Sequence, residues 1–375
     1  MGAIARPRTA GDIDTVEWIR DLADLDRIEA AWRALEARVT HRSHVSTFDF
    51  LATWYRHYAG DYGGAPLVGC AWTGSDLVGV APLTLRRGSL GRMPVTRVDF
   101  APNDSIAGEF LVRDDRPDVV ATLFRSLAQQ AKFDVVCLNG FDPASELLPT
   151  LQAAARQCRF ATELEDHAFA LVDLRRGYDT YWAALEGDTR RKLNHRARKI
   201  QALGATVEGV LPVHDLETAN AMTARMIAIT EASHKLQGQR LAPHHREFLA
   251  EVVRRFALRG MLSLPILTIG GRDAAFILGV VERGCFYDVT LSYDESFAKL
   301  GPGMYLMQET LKQFAEAGIH TVVSHGAHEY KRAWSTVFVP QKRIFLFQPR
   351  PRAAATRLVR FGLQPMWGRL RQQPA

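Results

Sequence analysis

Twice along this chain the same order of elements recurs, and that repeat constrains the fold more than any other feature. In the first half, β-rich runs at 66–72 and 77–85 flank the turn Thr73-Gly74-Ser75-Asp76. A helical pattern at 119–131 and a buried strand at 133–139 follow. In the second half, runs at 262–269 and 274–281 flank Gly270-Gly271-Arg272-Asp273, and 285–291 reads as a third strand. A helix at 304–317 then stops at Gly318, and 319–324 is the next strand. Two β-rich runs around a Gly/Asp turn spell a hairpin, and glycine just past a helical pattern is a natural stop. The two turns and the two strand ends, Gly140 and Gly326, keep nearly the same spacing. A duplicated α/β domain accounts for this; so do two unrelated α/β domains that each use hairpins.

Further helices complete the pattern. Leu25, Ile28, Trp32, Leu35 and Val39 recur at helical spacing, and Phe50, Leu51, Trp54, Tyr55 and Tyr58 form a second apolar stripe. Between the halves, 178–186 and 188–202 read as helices, with Asp188 as an expected N-cap and Gly204 as a stop. Two more, at 216–233 and 243–258, lead into the second sheet.

With 375 residues, 47% of them hydrophobic and 23% charged, the chain has the composition of a globular protein of two or three domains. Its longest nearly uncharged apolar stretch, 261–270, is about half a membrane span. The N-terminus lacks the apolar block of a secretory signal, so a cytoplasmic location is expected. Cys70, Cys137, Cys158 and Cys285 are scattered with no CxxC pair, which fits small buried side chains in a reducing compartment.

Net charge is +6, but it is unevenly placed. From Tyr330 to Ala375 there are ten Lys and Arg and no Asp or Glu, so the rest of the chain is mildly acidic. That argues against a body that wraps nucleic acid and points to one localised anionic contact. Leu358, Val359, Phe361, Leu363, Met366, Trp367 and Leu370 interleave with Arg357, Arg360, Arg369 and Arg371. Such a tail suits an anionic membrane surface, on the inner face of the cytoplasmic membrane, or packs on its own protein.

Three clusters offer chemistry. The first is Ser292-Tyr-Asp-Glu-Ser-Phe-Ala-Lys-Leu-Gly-Pro-Gly-Met304, where a strand ends and a helix begins. Gly301 and Gly303 allow close backbone approach, Pro302 suits a first turn, and the helix mouth would hold a phosphate or pyrophosphate. The same residues also spell a tight turn with a proline start. The matching point in the first half, Arg113-Asp-Asp-Arg-Pro-Asp118, is acidic and has no glycine. The second cluster, Ser324-His-Gly-Ala-His-Glu-Tyr-Lys-Arg-Ala-Trp334, lies where a core strand runs out. His325, His328, Glu329, Tyr330 and Lys331 supply acid, base and cation there, or simply a polar loop. No third ligand accompanies His325 and His328 at metal spacing, so no metal is expected. In the third, Thr189 to Ile200, Arg191, His195 and Arg198 share one face and Leu193, Ala197 and Ile200 another. The basic face is either solvated or a phosphate rail.

These residues resemble the BioF2-like/CelD branch of the GNAT acyltransferase superfamily, which is related to the FemAB peptidyltransferases. The resemblance rests on Phe48-Asp-Phe-Leu-Ala-Thr-Trp54 with Gly79-Val-Ala-Pro-Leu83, and on Tyr181-Trp182 with Leu185 leading to the basic run 190–199 and Leu203-Gly204. It continues in Tyr287, Ser292-Tyr-Asp294 and Gly301-Pro-Gly303, and in Gly326, Tyr330-Lys331 and Trp334. Where the family often has an acidic residue near the strand end, this chain has Val323-Ser324-His325.

The resemblance implies two tandem GNAT-like α/β domains, each a mixed, mostly antiparallel sheet flanked by helices. They would span 1–175, without a cofactor site, and 176–348, with an acyl-CoA site, followed by a basic apolar tail at 349–375. It implies acyl-CoA as cosubstrate, no metal, and transfer to an amine on an envelope polysaccharide precursor or a lipid, such as a long acyl chain onto a sphingoid base. His325 is then the expected base with Asp288 or Asp294 behind it, and Tyr330 the acid. Lys299, Gly301, Gly303, Met304, Lys331, Arg191 and Arg198 would hold the nucleotide phosphates. Two rivals remain: a FemAB-like transferase using aminoacyl-tRNA, and a non-catalytic scaffold for polysaccharide or lipid assembly.

Overall fold

The computed structural model describes residues 13–40, 42–60, 62–102, 108–130, 132–236, 239–326 and 328–363. They form two compact units, Met1–His167 with Gln341–Ala375, and Ala168–Pro340. The boundaries fall at 167/168 and 340/341 rather than 175/176 and 348/349. Both lie inside strands, and residues 341–363 belong to the first unit instead of standing apart.

The chain runs through β1 (Thr15–Ile19), α1 (Glu29–Arg38), α2 (Phe48–Tyr58), β2 (Ala65–Thr73), β3 (Asp76–Leu90), β4 (Met93–Phe100) and β5 (Leu111–Val112). Then come α3 (Asp118–Gln130), β6 (Val135–Phe141), α4 (Leu147–Gln157) and β7 (Ala161–Asp173). The second stretch has α5 (Tyr178–Ala184), α6 (Gly187–Gln201), β8 (Thr206–Glu208), α7 (Leu216–Glu231), α8 (Pro243–Leu258), β9 (Leu262–Ser263), β10 (Ile266–Ile269) and β11 (Arg272–Glu282). It ends with β12 (Cys285–Tyr293), α9 (Pro302–Glu316), β13 (Thr321–Ser324), β14 (Val337–Phe347) and α10 (Pro351–Arg357).

In the first unit the strand order is β1-β2-β3-β4-β6-β14, with β5 on β3; in the second it is β8-β10-β11-β12-β13-β7, with β9 on β11. Each sheet is antiparallel except for one pair, β4 with β6 and β12 with β13. A parallel pair needs a crossover, and a helix makes it each time, α3 in one unit and α9 in the other. The duplication read from the turns is thus a duplication of topology. The closing strands are exchanged: β7, which follows the first repeat in sequence, closes the second unit's sheet on β13, and β14 closes the first unit's on β6.

Two segments were not legible as regular structure. The β3–β4 turn uses Gly91 and Arg92, both at positive φ, without the Asn-Gly or Asp-Gly signature that announces such a hairpin. The first part of β7 is charged, and its Glu163 and Glu165 are matched by Arg357 and Arg360 from the far end of the chain. Asp188 is not the N-cap of α6: the helix opens at Gly187, and Asp188 sits in its first turn paired with Lys192 at 2.6 Å and Arg191 at 3.1 Å.

Those ion pairs also decide how the basic tail is used where it is described. Arg352 donates to the Pro94 carbonyl and lies 3.6 Å from Asp134. Phe361 packs edge-on to Phe345 and Phe347. Arg352, Arg357 and Arg360 therefore make ion pairs or hydrogen bonds within their own unit. Met366, Trp367, Arg369, Leu370 and Arg371 lie outside the described residues. Among those described, no helix is long and apolar enough to cross a membrane.

The second unit's core carries the site. Leu193, Ala197 and Ile200 of α6 and Leu306, Leu311 and Phe314 of α9 are buried together. Phe286 packs tilted against Phe314, with ring centroids 4.8 Å apart, and reaches across Gly279, where an added Cβ would lie 2.1 Å from its ring. Gly279→Ala is expected to force that ring aside and to cost roughly 1–3 kcal/mol as an overpacked core, read as a lower unfolding midpoint in denaturant.

Candidate active site

The parallel pair β12–β13 runs in register only from Cys285 with Thr321 to Asp288 with Ser324. There β13 ends, while β12 continues to Tyr293. On its other edge β12 pairs β11 with a register shift, because Leu278 opposes Thr290 and Gly279 opposes Asp288, leaving Val289 as a bulge. The bulge bends β12 at the point where its parallel neighbour stops. Asp288 stands at this fork.

Asp288 is enclosed, and burial holds its carboxyl above the usual aspartate range, against the opposing pull of the Ser324 hydroxyl and the Lys331 and Lys235 charges. Its Oδ2 accepts a hydrogen bond from Ser324 Oγ. Its Oδ1 is buried with no partner among the described residues. A half-satisfied buried carboxylate is costly, because the oxygen without a partner has lost its water and gained no hydrogen bond.

Around it the second cluster is arranged by the short helical turn Glu329–Ala333. Lys331 folds inward, 3% exposed, and its Nζ donates to the His325 carbonyl. Burial lowers its pKa while the Asp288 charge raises it. Lys331 is thus an internal counter-charge to Asp288. Burial, helped by Lys331, pushes the His325 imidazole down to about 4, so it is neutral at physiological pH and a weak base. Tyr330 stays 55% exposed, with its ring stacked on His328. Partial burial and the Asp288 charge raise its pKa, which keeps the phenol protonated and able to donate. Asp294 plays a structural part: it caps the turn Glu295–Leu300 by accepting from Ser296 N–H, and lies 3.6 Å from Arg272.

The helix mouth lies beside a groove of about 220 Å³ lined by Lys192, His195, Arg196, Lys199, Lys299 and Leu300. Four of these come from α6 at helical spacing, and Lys299 from the turn before α9. Gly301 is left-handed (φ 65°, ψ 54°) and opens α9. Arg196 lies flat against it, since a Cβ there would meet Arg196 Nε at 2.5 Å. Gly303 lets Leu291 approach to 3.0 Å of where its Cβ would be. Met304 packs on the core, and its N–H, with that of Tyr305, already bonds the Gly301 carbonyl. Pro302 has no N–H. The groove's attraction for anions therefore comes mainly from side-chain cations, with the helix dipole adding to it.

The basic face that reaches the groove is one step round α6 from the expected one. Arg191 pairs with Asp188, and Arg198 leans on the Asn194 carbonyl at 3.5 Å. At the matching point of the first unit, Arg113 pairs with Asp115 and Arg116 with Asp118, so the local cations are already matched.

Sequence reading missed a second cavity, about 380 Å³, between α7, α8 and the sheet. Leu236, Leu241, Leu249 and Phe276 form its apolar walls, and Thr290 and Ser292 of β12 its floor. Lys235 stands at its edge and donates to the Leu291 carbonyl at 2.8 Å; its charge acts on Asp288. Ser292 Oγ is buried with no partner among the described residues. Only the alternation of Thr290 and Ser292 hinted at this lining in the sequence; the bulge at Val289 turns Asp288 to the other face of the sheet. No group of His, Cys, Asp and Glu among the described residues is placed to hold a metal ion.

Residues 187–332 match the GNAT acetyltransferase domain. The stretch contains the fork, the helix mouth and both cavities, so the second unit carries a GNAT-type acyltransferase domain. Its fold is similar to that of FemX (TM-score 0.56, 11% identity, covering 84% of this chain and 95% of that one). It is also similar to the L-PGS structure from Bacillus licheniformis (TM-score 0.54, 15% identity, 89% and 96%). A third likeness is to the C-terminal domain, DUF2156, of a putative lysylphosphatidylglycerol synthetase from Agrobacterium fabrum (TM-score 0.54, 14% identity, 91% and 98%). At such identities the likeness is one of fold. No curated protein matches the chain.

Proposed function

We propose that the second unit transfers an acyl group from acyl-CoA to a primary amine, with Asp288 as the general base. The observation that carries this is the buried, half-satisfied carboxylate at the fork of β12 and β13. An amine arrives as an ammonium ion and must lose a proton before it can attack a thioester. A carboxylate whose pKa is raised is a better proton acceptor than an ordinary one, and its open Oδ1 provides the place. Asp288 takes the role in preference to His325, whose ring is too weakly basic, and Asp294, which is spent on a cap.

In this reading the nucleotide phosphates lie in the groove of Lys192, His195, Arg196, Lys199 and Lys299, at the mouth of α9. The thioester extends along the edge of β12 that β13 leaves uncovered beyond Asp288. The ammonium gives one proton to Asp288 and thence to solvent. The nitrogen attacks the thioester carbon, the C–N bond forms, and the C–S bond breaks. The departing thiolate takes a proton from Tyr330, which is restored by the second proton of the nitrogen. The products are an amide and free CoA. A titration of thiol release across acyl-CoAs from acetyl to palmitoyl, with an amine present, tests this; no thiol release with any donor overturns it.

A second reading replaces acyl-CoA by aminoacyl-tRNA. What favours it is the fold shared with a putative lysylphosphatidylglycerol synthetase domain, together with the cationic face of α6. Binding of charged tRNA with a steep salt dependence, without thiol release from any acyl-CoA, would select this reading.

A further inference from the structure

We infer that the cavity between α7, α8 and β12 is a binding site of its own, for an apolar carboxylate, on the opposite face of the sheet from Asp288. The two places are separated by the alternation of β12. Phe286 and Asp288 face α9, where Phe286 packs against Phe314. The bulge at Val289 puts Thr290 and Ser292 on the other face, opposite Leu278 and Phe276 of β11. The inference therefore goes beyond the acyl-transfer reading and does not depend on it.

Three observations define the ligand. The first is the wall. Leu241, Leu249 and Phe276 are buried side chains that border the cavity, and half-buried Leu236 joins them. At about 380 Å³ the space is within the size range of small-molecule sites. A hydrocarbon body placed there leaves water without giving up a hydrogen bond.

The second is charge. The ionisable groups among the described lining residues are Lys235, His244 and His245, with no carboxylate. The neighbouring Glu231 is already engaged by Arg246 and by the Leu241 N–H. Burial and the adjacent His244 hold the His245 imidazole below its ordinary range, so it is neutral, and its ring lies against Phe248. Lys235 is the cation. Its Nζ donates to the Leu291 carbonyl at 2.8 Å, which uses one of the three N–H groups of an ammonium. The N-terminus of α8 has no side-chain cap, and Ala242, His244 and His245 at that end border the same cavity, so the helix dipole adds positive potential.

The third is an unpartnered hydroxyl. Ser292 follows Leu291, lines the cavity and is 4% exposed, and its Oγ has no partner among the described residues. Thr230, by contrast, spends its hydroxyl proton on the Met226 carbonyl at 2.8 Å. An ammonium and an unused hydroxyl on neighbouring residues suit the two oxygens of one carboxylate, the first accepting from Lys235 and the second from Ser292. An amine head would meet a like charge there, and an alcohol would leave the ammonium without a counter-charge.

Calorimetric titration of the full chain with decanoate below its aggregation limit, with no acyl donor present, tests this. Decanol supplies the body without the charge, acetate the charge without the body, and decylamine the opposite charge. Decanoate should bind more tightly than each of the three by about tenfold or more, since a hydrogen bond to a charged group and an apolar body each contribute on that scale. Lys235→Gln, at the exposed edge of the cavity, should weaken decanoate by about tenfold and leave decanol unchanged. Ser292→Ala should weaken decanoate while the melting temperature holds or rises, because the variant removes a buried hydroxyl that has no partner. Acetate, decanol or decylamine binding as tightly as decanoate, decanoate binding indifferent to Lys235→Gln or to Ser292→Ala, or no decanoate binding at all overturns the inference.

Discussion

Asp288→Asn is expected to lower acyl transfer by about 10²–10⁴-fold, the usual contribution of a positioned general base. The amide keeps an oxygen for the Ser324 hydroxyl but takes no proton. The loss should fall on kcat, with the donor's KM little changed, because Asp288 lies apart from the cationic groove. The wild-type rate should rise with pH as the carboxylate ionises, on a limb displaced above the ordinary aspartate value of about 3.9. The variant should lack that limb.

Stability should move the other way. A carboxyl whose folded pKa is raised stabilises the fold only while protonated. That contribution is whole below the unfolded value of about 3.9 and is lost as pH rises through the folded one. At neutral pH the ionised group carries a desolvation cost that Lys331 partly offsets; Asp288→Asn removes both the cost and the counter-charge, so the melting temperature should shift little. A variant that melts much lower would mean that Asp288 is held for structure. Loss of catalysis with retained stability is the pattern of a residue kept for chemistry.

The double charge reversal Lys199→Glu and Lys299→Glu is expected to raise the KM for acyl-CoA at least tenfold. A hydrogen bond to a charged group contributes about 1.5–3 kcal/mol, and two cations are replaced by anions facing phosphate. Both side chains border the groove rather than the core, so the fold should tolerate the change. The comparison that isolates the phosphates is pantetheine against CoA as the acyl carrier. The wild-type protein should prefer CoA, and the variant should lose most of that preference. The wild-type preference should also weaken with added salt, since partly exposed charges are screened. An unchanged preference in the variant would remove the groove from the donor site.

Much of this architecture was written locally. The two hairpin turns, the helix stop at Gly318 and the Gly301-Pro302-Gly303 opening lie where the residues set them, because positive φ, a missing N–H and apolar spacing act over a few neighbours. The apolar stripe of α6, Leu193, Ala197 and Ile200, was equally legible. What was not legible depends on partners distant in sequence. The basic face of α6 is cationic over much of its circumference, and only the position of Lys299 and Gly301 beside it selects Lys192, His195, Arg196 and Lys199 over Arg191 and Arg198. Lys331 reads as a phosphate ligand by type, yet the fold turns it inward to Asp288.

The candidate base shows the division most clearly. Asp288, Asp294 and His325 are all plausible proton acceptors as residue types. Their differing environments come from Ser324, Lys331, Lys235 and the packing around them, brought together by a parallel strand pair, a bulge and a helix. The sequence by itself determined the repeated order of strands and helices and the glycine-lined mouth of α9, since these follow from backbone freedom and periodicity within a turn or two. The tertiary structure alone decided the exchange of closing strands, the apolar cavity and which carboxyl lost its water, because burial is a sum over neighbours that the chain gathers only when folded.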